Sequence, residues 1–196
     1  MKTLIISFII CLSLSSNSTE ISMQGIKIND SEKILEKINL NVIVSDRENA
    51  TPQIKYRTEN GNDLSITLKE RKVVYLENDW LRDKKGIKPL LTNFIFGETT
   101  LKDIRKSFGT NGFTYEKMTA FTTDTHLIEF NCFEIDSPNN EVLVIITKVS
   151  LDNEITEENV AEKLKLDAII LANKDYLDEI WQGKKIYDPK NKKVKL

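Results

Sequence analysis

A chain of 196 residues with 40% hydrophobic content is long enough for one domain, or two very small ones, around a packed core. Its 28 basic and 30 acidic residues nearly cancel to a net charge of −2, which argues against nucleic acid as a partner and for a well-solvated mixed surface. One histidine and two cysteines leave little material for nucleophilic or metal chemistry.

The N-terminus reads as a signal peptide, residues 1–18. Lys2 is the positive start, Leu4 to Leu14 is an unbroken apolar and small run, and Ser15, Ser16, Asn17 and Ser18 supply small and polar residues for a peptidase. The run is shorter than the ~20 apolar residues a bilayer span needs. No later segment reaches that length; Lys148 closes the longest, Val142 to Thr147. Cys11 lies mid-run after Ile10, where lipid attachment wants a small residue, so a cleaved, non-lipidated, exported chain is expected. Cleavage would leave Cys132 without an internal disulfide partner, which fits a bacterial periplasm better than a disulfide-stapled secretion. The glycosylation sequons at Asn17 and Asn49 carry little weight in an Asn-rich chain.

Ser31 to Ile38 reads as a short helix capped by Asp30 or Ser31, with Ile34, Leu35 and Ile38 on one face. Leu40 to Ser45 alternates as a strand. A hairpin follows, with Ile54 and Tyr56 on one arm and Leu64, Ile66 and Leu68 on the other. A three-residue loop, Glu59-Asn60-Gly61 with Gly61 left-handed, sets Tyr56 opposite Leu64 and puts all five apolar residues on one face. Val73 to Leu76 is the next strand, completing an N-terminal module over 19–80. Glu77 to Pro89 is a charged connection with Trp80-Leu81 embedded in it.

A second module, 90–150, opens with a helix at Thr100–Phe108. Thr100 and Asp103 form a capping box, Leu101, Ile104 and Phe108 share a face, and Gly109 stops it. Asn111-Gly112 turns the chain into strands at Phe113–Tyr115, Met118–Phe121, Leu127–Ile135 and Glu141–Val149. The last of these is apolar on both faces and should be central. Residues 155–183 read as helical: Val160, Leu164, Ala168 and Leu171 repeat at helical spacing after Thr156, and a second helix, Lys174–Gln182, starts at Asn173 and ends at Gly183. The tail, 184–196, holds six lysines and is expected to be mobile. Both modules run from an apolar start through a capped helix to antiparallel strands; a duplication and a chance match of pattern both account for this.

Gly97, Thr99, Thr100, Asp103, Ile104 and Gly109 form a Gly, capped helix, Gly pattern ahead of antiparallel strands. In this the segment resembles the BamE (SmpA/OmlA)-like and β-lactamase-inhibitor-protein-like families. The resemblance implies an exported α+β module that binds other proteins, in tandem copies in the inhibitor type. The lipidated Cys of BamE-type proteins has no counterpart here.

Any Ser-His-Asp or Cys-His system must run through His126. Cys132 would lie about 20 Å away along a strand, so it reads as a small core residue beside Ile128 and Phe130. Asp124 and His126 share a strand face but Glu129 points to the other, so these three do not make a metal site. Glu129 and Glu134 interrupt an apolar strand; Glu129 either faces water or, if buried, becomes a raised-pKa general acid. Trp80, Tyr176 and Trp181 are the candidate contact residues, because aromatics anchor interfaces. Trp181 could instead dock its helix on the sheet, while Trp80 stands in a polar connection with no evident packing reason.

The expected fold class is therefore α+β: an antiparallel sheet with short helices packed on one face, two similar α-β modules and a helical C-terminal segment. The expected function is an exported, periplasmic, non-enzymatic protein-binding module, of inhibitor/immunity type or an envelope accessory, with another protein as partner. No catalytic residues, metal, cofactor, nucleic-acid contact or transmembrane segment are expected. A carboxylate-based hydrolase and a small-ligand carrier are the alternatives.

Overall fold

The computed structural model describes residues 21–39, 41–46, 51–82 and 84–196. The signal peptide, Cys11 and both sequons lie outside the described residues. Where a helix was expected from Ser31, a single 3-10 helix runs Glu32–Lys37, with the Ser31 side chain accepting from the Lys33 amide. Four strands follow: β1 (Asn41–Asp46), β2 (Gln53–Arg57), β3 (Asp63–Lys69) and β4 (Lys72–Asp79). The expected hairpin register is observed, Tyr56 opposite Leu64 and Ile54 opposite Ile66, with Gly61 at φ +87°. β1 is exposed along its whole length, and a register shift between Val42 and Val44 breaks its alternation. Helix α1 (Leu101–Phe108) has the expected Thr100–Asp103 capping box and is closed by Gly109.

Then come β5 (Phe113–Tyr115), β6 (Ala120–Thr122), β7 (His126–Glu134) and β8 (Glu141–Ser150), one-turn α2 (Val160–Lys163), β9 (Lys165–Asn173), α3 (Lys174–Trp181) and β10 (Lys185–Tyr187). All strand pairings between these elements are antiparallel, in one ten-stranded sheet ordered β1-β2-β3-β4-β9-β8-β7-β5-β10, with β6 also on β7. β8, expected to be central, is buried almost throughout.

The expected α+β class does not hold. The molecule is mostly sheet, and its few short helices lie on opposite faces. Ile104 of α1 packs with Leu143, Ile145, Ile169 and Leu171, whereas Leu177 of α3 packs with Val142, Val144, Ile170 and Ala172. Those alternating sets lie on β8 and β9, so each strand feeds a core on both sides.

The helical reading of 155–183 is also corrected. Only Val160–Lys163 turns as helix before β9 begins, and β9 joins β4 to β8. A strand covered on both faces loses its alternation, so Leu164, Ala168 and Leu171 fall at helical spacing without being helical. Lys174–Trp181 is helical as expected, with Asn173 accepting from the Asp175 and Tyr176 amides. The tail lies against the sheet. β10 pairs with β5, and Val194 is 4% exposed, its amide donating to the Glu134 carbonyl while its carbonyl accepts from Asp136. Among the described residues no helix is long and apolar enough to cross a membrane.

Candidate functional site

Antiparallel pairing brings the end of β4, the start of β7, the end of β8 and the start of β9 to one end of the sheet. The Trp80 amide donates to the Asp167 carbonyl at 3.1 Å, and the Gly97 amide to the Leu166 carbonyl at 2.8 Å. Between these segments lies a groove of about 180 Å³ whose walls include Trp80, Arg82, Gly97, His126, Lys148, Lys165 and Asp167. It unites Trp80 and His126, which the sequence singled out for different reasons.

Trp80 has a packing role that its polar neighbours conceal. Its ring stacks on Phe96, centroids 6.4 Å apart and planes 3° from parallel, and its indole N–H donates to the Lys84 carbonyl at 2.9 Å. A Cβ on Gly97 would fall 2.2 Å from the ring, and Gly97 also holds φ +71°. Gly97→Ala should therefore cost about 2–4 kcal/mol, combining backbone strain with overpacking. It should also shift the tryptophan emission to the red; unchanged emission and stability would show that the ring is not seated there.

The groove is rich in positive charge. Arg82 grips both oxygens of Asp167 with its Nη2, each at 3.3 Å. Lys148 and Lys165 stand directly opposite one another across β8 and β9. Among the described residues neither has a carboxylate within ion-pair distance. Half-buried His126 begins β7 opposite Ser150, and its Nδ1 lies 2.6 Å from the Thr125 hydroxyl oxygen. Asp124 is exposed in the preceding loop.

Glu129 neither faces water nor acts as an isolated buried acid. Arg105 of α1 reaches it with Nη2 at 3.0 Å and reaches Asn131 at 2.6 Å, while the Asn131 amide donates to Glu129 at 3.0 Å. The network pins α1 to β7 on the face away from Cys132. Cys132 is buried beside Phe130, as expected, and burial pushes its thiol well above the ordinary range, so it is inert. Glu134 is held by Lys174 at 2.8 Å, and its carboxyl lies below the usual range because that ion pair and the Tyr187 hydroxyl outweigh its partial burial.

The other two contact candidates do not line the groove. Trp181 meets Tyr115 edge-on at 5.3 Å and Phe130 at 5.8 Å, which docks α3 on the sheet. Tyr176 meets Tyr75 edge-on at 6.2 Å.

Sequence reasoning missed one polar cluster. Lys55, Asp63, Glu77 and Asp79 occupy the sheet face across β2, β3 and β4. Lys55 lies 3.5 Å from Asp63 and 3.3 Å from Asp79, and the Tyr75 hydroxyl donates to Glu77 at 2.9 Å. Burial and then the neighbouring Asp79 charge push the Glu77 carboxyl up to about 7, against the opposing pull of the Tyr75 hydroxyl and Lys55. The available signal was period two at positions 75, 77 and 79, hidden by ending the strand at Leu76.

No protein-family model matches the chain, and no curated protein sequence is similar to it. Solved structures with partial likeness include two extracellular or secretory proteins. One is an extracellular protein containing an SCP domain from Bacillus anthracis, 13% identical, TM-score 0.44, covering 96% of this chain and 56% of the other. The second is a cysteine-rich secretory protein from Staphylococcus aureus, 11% identical, TM-score 0.44, covering 88% of this chain and 54% of the other. The chain thus spans just over half the length of each, and likeness at this level assigns neither fold family nor activity. Neither points to a BamE-like or β-lactamase-inhibitor-like module, and the described residues form one continuous sheet rather than a tandem helix-on-sheet pair. The Gly97–Gly109 pattern marks a capped helix and no more.

Proposed function

We propose that this chain is an exported, non-enzymatic module that binds another protein, and that the groove at the Trp80 end of the sheet is its contact surface. One observation carries the reading: Lys148 and Lys165 face each other unneutralised in a groove with an aromatic wall. Opposed like charges destabilise a sheet, so this arrangement fits a surface shaped by what it meets rather than by its own stability. An inhibitor or immunity-type role and an envelope accessory role fit it equally. The wider groove of about 530 Å³ beside α1 is walled by Lys102, Arg105, Lys106, Glu158, Glu162 and Asp188, which does not favour carrying a lipid-like ligand.

The test uses the mature chain as bait in an envelope extract. It should retain one protein stoichiometrically, and Trp80→Phe should weaken retention in a variant that circular dichroism shows still folded. Failure to retain any stoichiometric protein would remove the proposal. A second reading, carboxylate hydrolysis, draws on Glu77, whose carboxyl is pushed up to about 7 by burial and the neighbouring Asp79 charge, as a general acid requires. It requires a bell-shaped pH–rate profile on some substrate, abolished in Glu77→Gln.

A further inference from the structure

We infer that the groove between β8, β9 and Trp80 is a carboxylate-binding site, and that its occupant is an acidic side chain of an extended segment of a partner protein. The inference rests on the protein-binding reading above and names the chemistry the partner must present.

The cross-strand geometry sets the ligand's charge. Directly opposed residues in an antiparallel pair hold their Cβ atoms about 4.5–5.5 Å apart, so the two ammonium groups can converge on one oxyanion. Lys148 is half-buried, Lys165 is exposed, and neither has a carboxylate within ion-pair distance among the described residues. Arg82 already has Asp167, so the chain neutralises one cation at this rim and leaves the two lysines open.

The size of the groove sets the ligand's shape. About 180 Å³ is smaller than the roughly 300–1,000 Å³ that encloses a whole small-molecule ligand, and suits one or two inserted side chains. Half-buried Trp80, fixed by Phe96 and Gly97, gives the wall a flat apolar surface. The methylene stem of a glutamate can lie against it while its carboxylate meets the lysines. An inorganic anion would use the charge and leave the wall idle.

The probes are a hexaglutamate peptide and inorganic phosphate, titrated separately into the mature chain by calorimetry at low salt. The peptide should bind, weaken steeply as salt shortens the screening length, and raise the melting temperature. Lys148→Glu supplies Lys165 with an internal partner. It should melt above wild type without peptide and lose at least about tenfold in peptide affinity. Lys190→Glu makes the same change in net charge outside the groove and should bind as wild type does.

Equal binding by wild type and Lys148→Glu overturns the inference. So does binding of phosphate but not peptide, which would mark a site for free anions only. If the bait retains its protein equally well with Lys148→Glu, the carboxylate assignment falls while the protein-binding reading stands. If the peptide binds but the bait retains nothing, the assignment holds and the protein-binding reading falls.

Discussion

Glu77→Gln is expected to leave stability near pH 4.5 unchanged and to raise it by roughly 1–3 kcal/mol above pH 7. Burial and Asp79 push the folded-state Glu77 pKa from the ordinary 4.5 to about 7. The folded chain therefore holds this proton more tightly than the unfolded chain. Between those two values the folded state keeps the proton and the unfolded state has lost it, so stability falls as pH rises through that window. The full linkage is roughly 2–4 kcal/mol. Glutamine is neutral at every pH, can still accept from the Tyr75 hydroxyl and removes the repulsion with Asp79. Urea unfolding of both proteins from pH 4.5 to 8.5 reads the difference directly, and parallel curves would refute a shifted Glu77. Taking the difference cancels other titrations, such as that of Asp103, lowered by its Thr100 hydrogen bonds.

The second large effect is expected at Arg105. Arg105→Met leaves Glu129, at 16% side-chain exposure, without its cation, and leaves Asn131, fully buried, with one acceptor unpartnered. Breaking one side of a buried pair costs about 3–5 kcal/mol; Arg105 retains 27% side-chain exposure, which brings the expectation down to roughly 2–4. For a chain of this length that is a fall of roughly 5–15 °C in melting temperature. Removing the whole polar set, in Arg105→Met/Glu129→Leu/Asn131→Leu, should recover much of the loss. Lys102→Met breaks only the exposed pair with Glu162 and should leave stability nearly unchanged. If Arg105→Met and Lys102→Met melt together, the Arg105 network is not holding α1 to the sheet.

The features legible in the sequence were those with a local physical cause. The β2–β3 register followed from alternation plus one left-handed glycine, because a one-residue slip would turn Tyr56, Leu64 and Ile66 out of the core. Helix α1 followed from its own caps. What failed was decided at long range. Ala168 to Ala172 is buried between two neighbouring strands, so its apolar run carried no alternation to read. That error also hid the groove, because a Lys165 placed in a helix cannot face Lys148. The tail's six lysines outweighed Ile186, Tyr187 and Val194, whose strand partners lie on distant segments. Trp80 looked unexplained because its reasons, Phe96 and Gly97, lie beyond a charged connection.

The position of β9 has a consequence for how the molecule is made. Among the described residues β1–β4 and β5–β8 are joined in the sheet through this strand, the ninth in chain order, so neither block has its full set of strand neighbours until residue 173 has been made. Pairings of such long sequence separation close late and slowly.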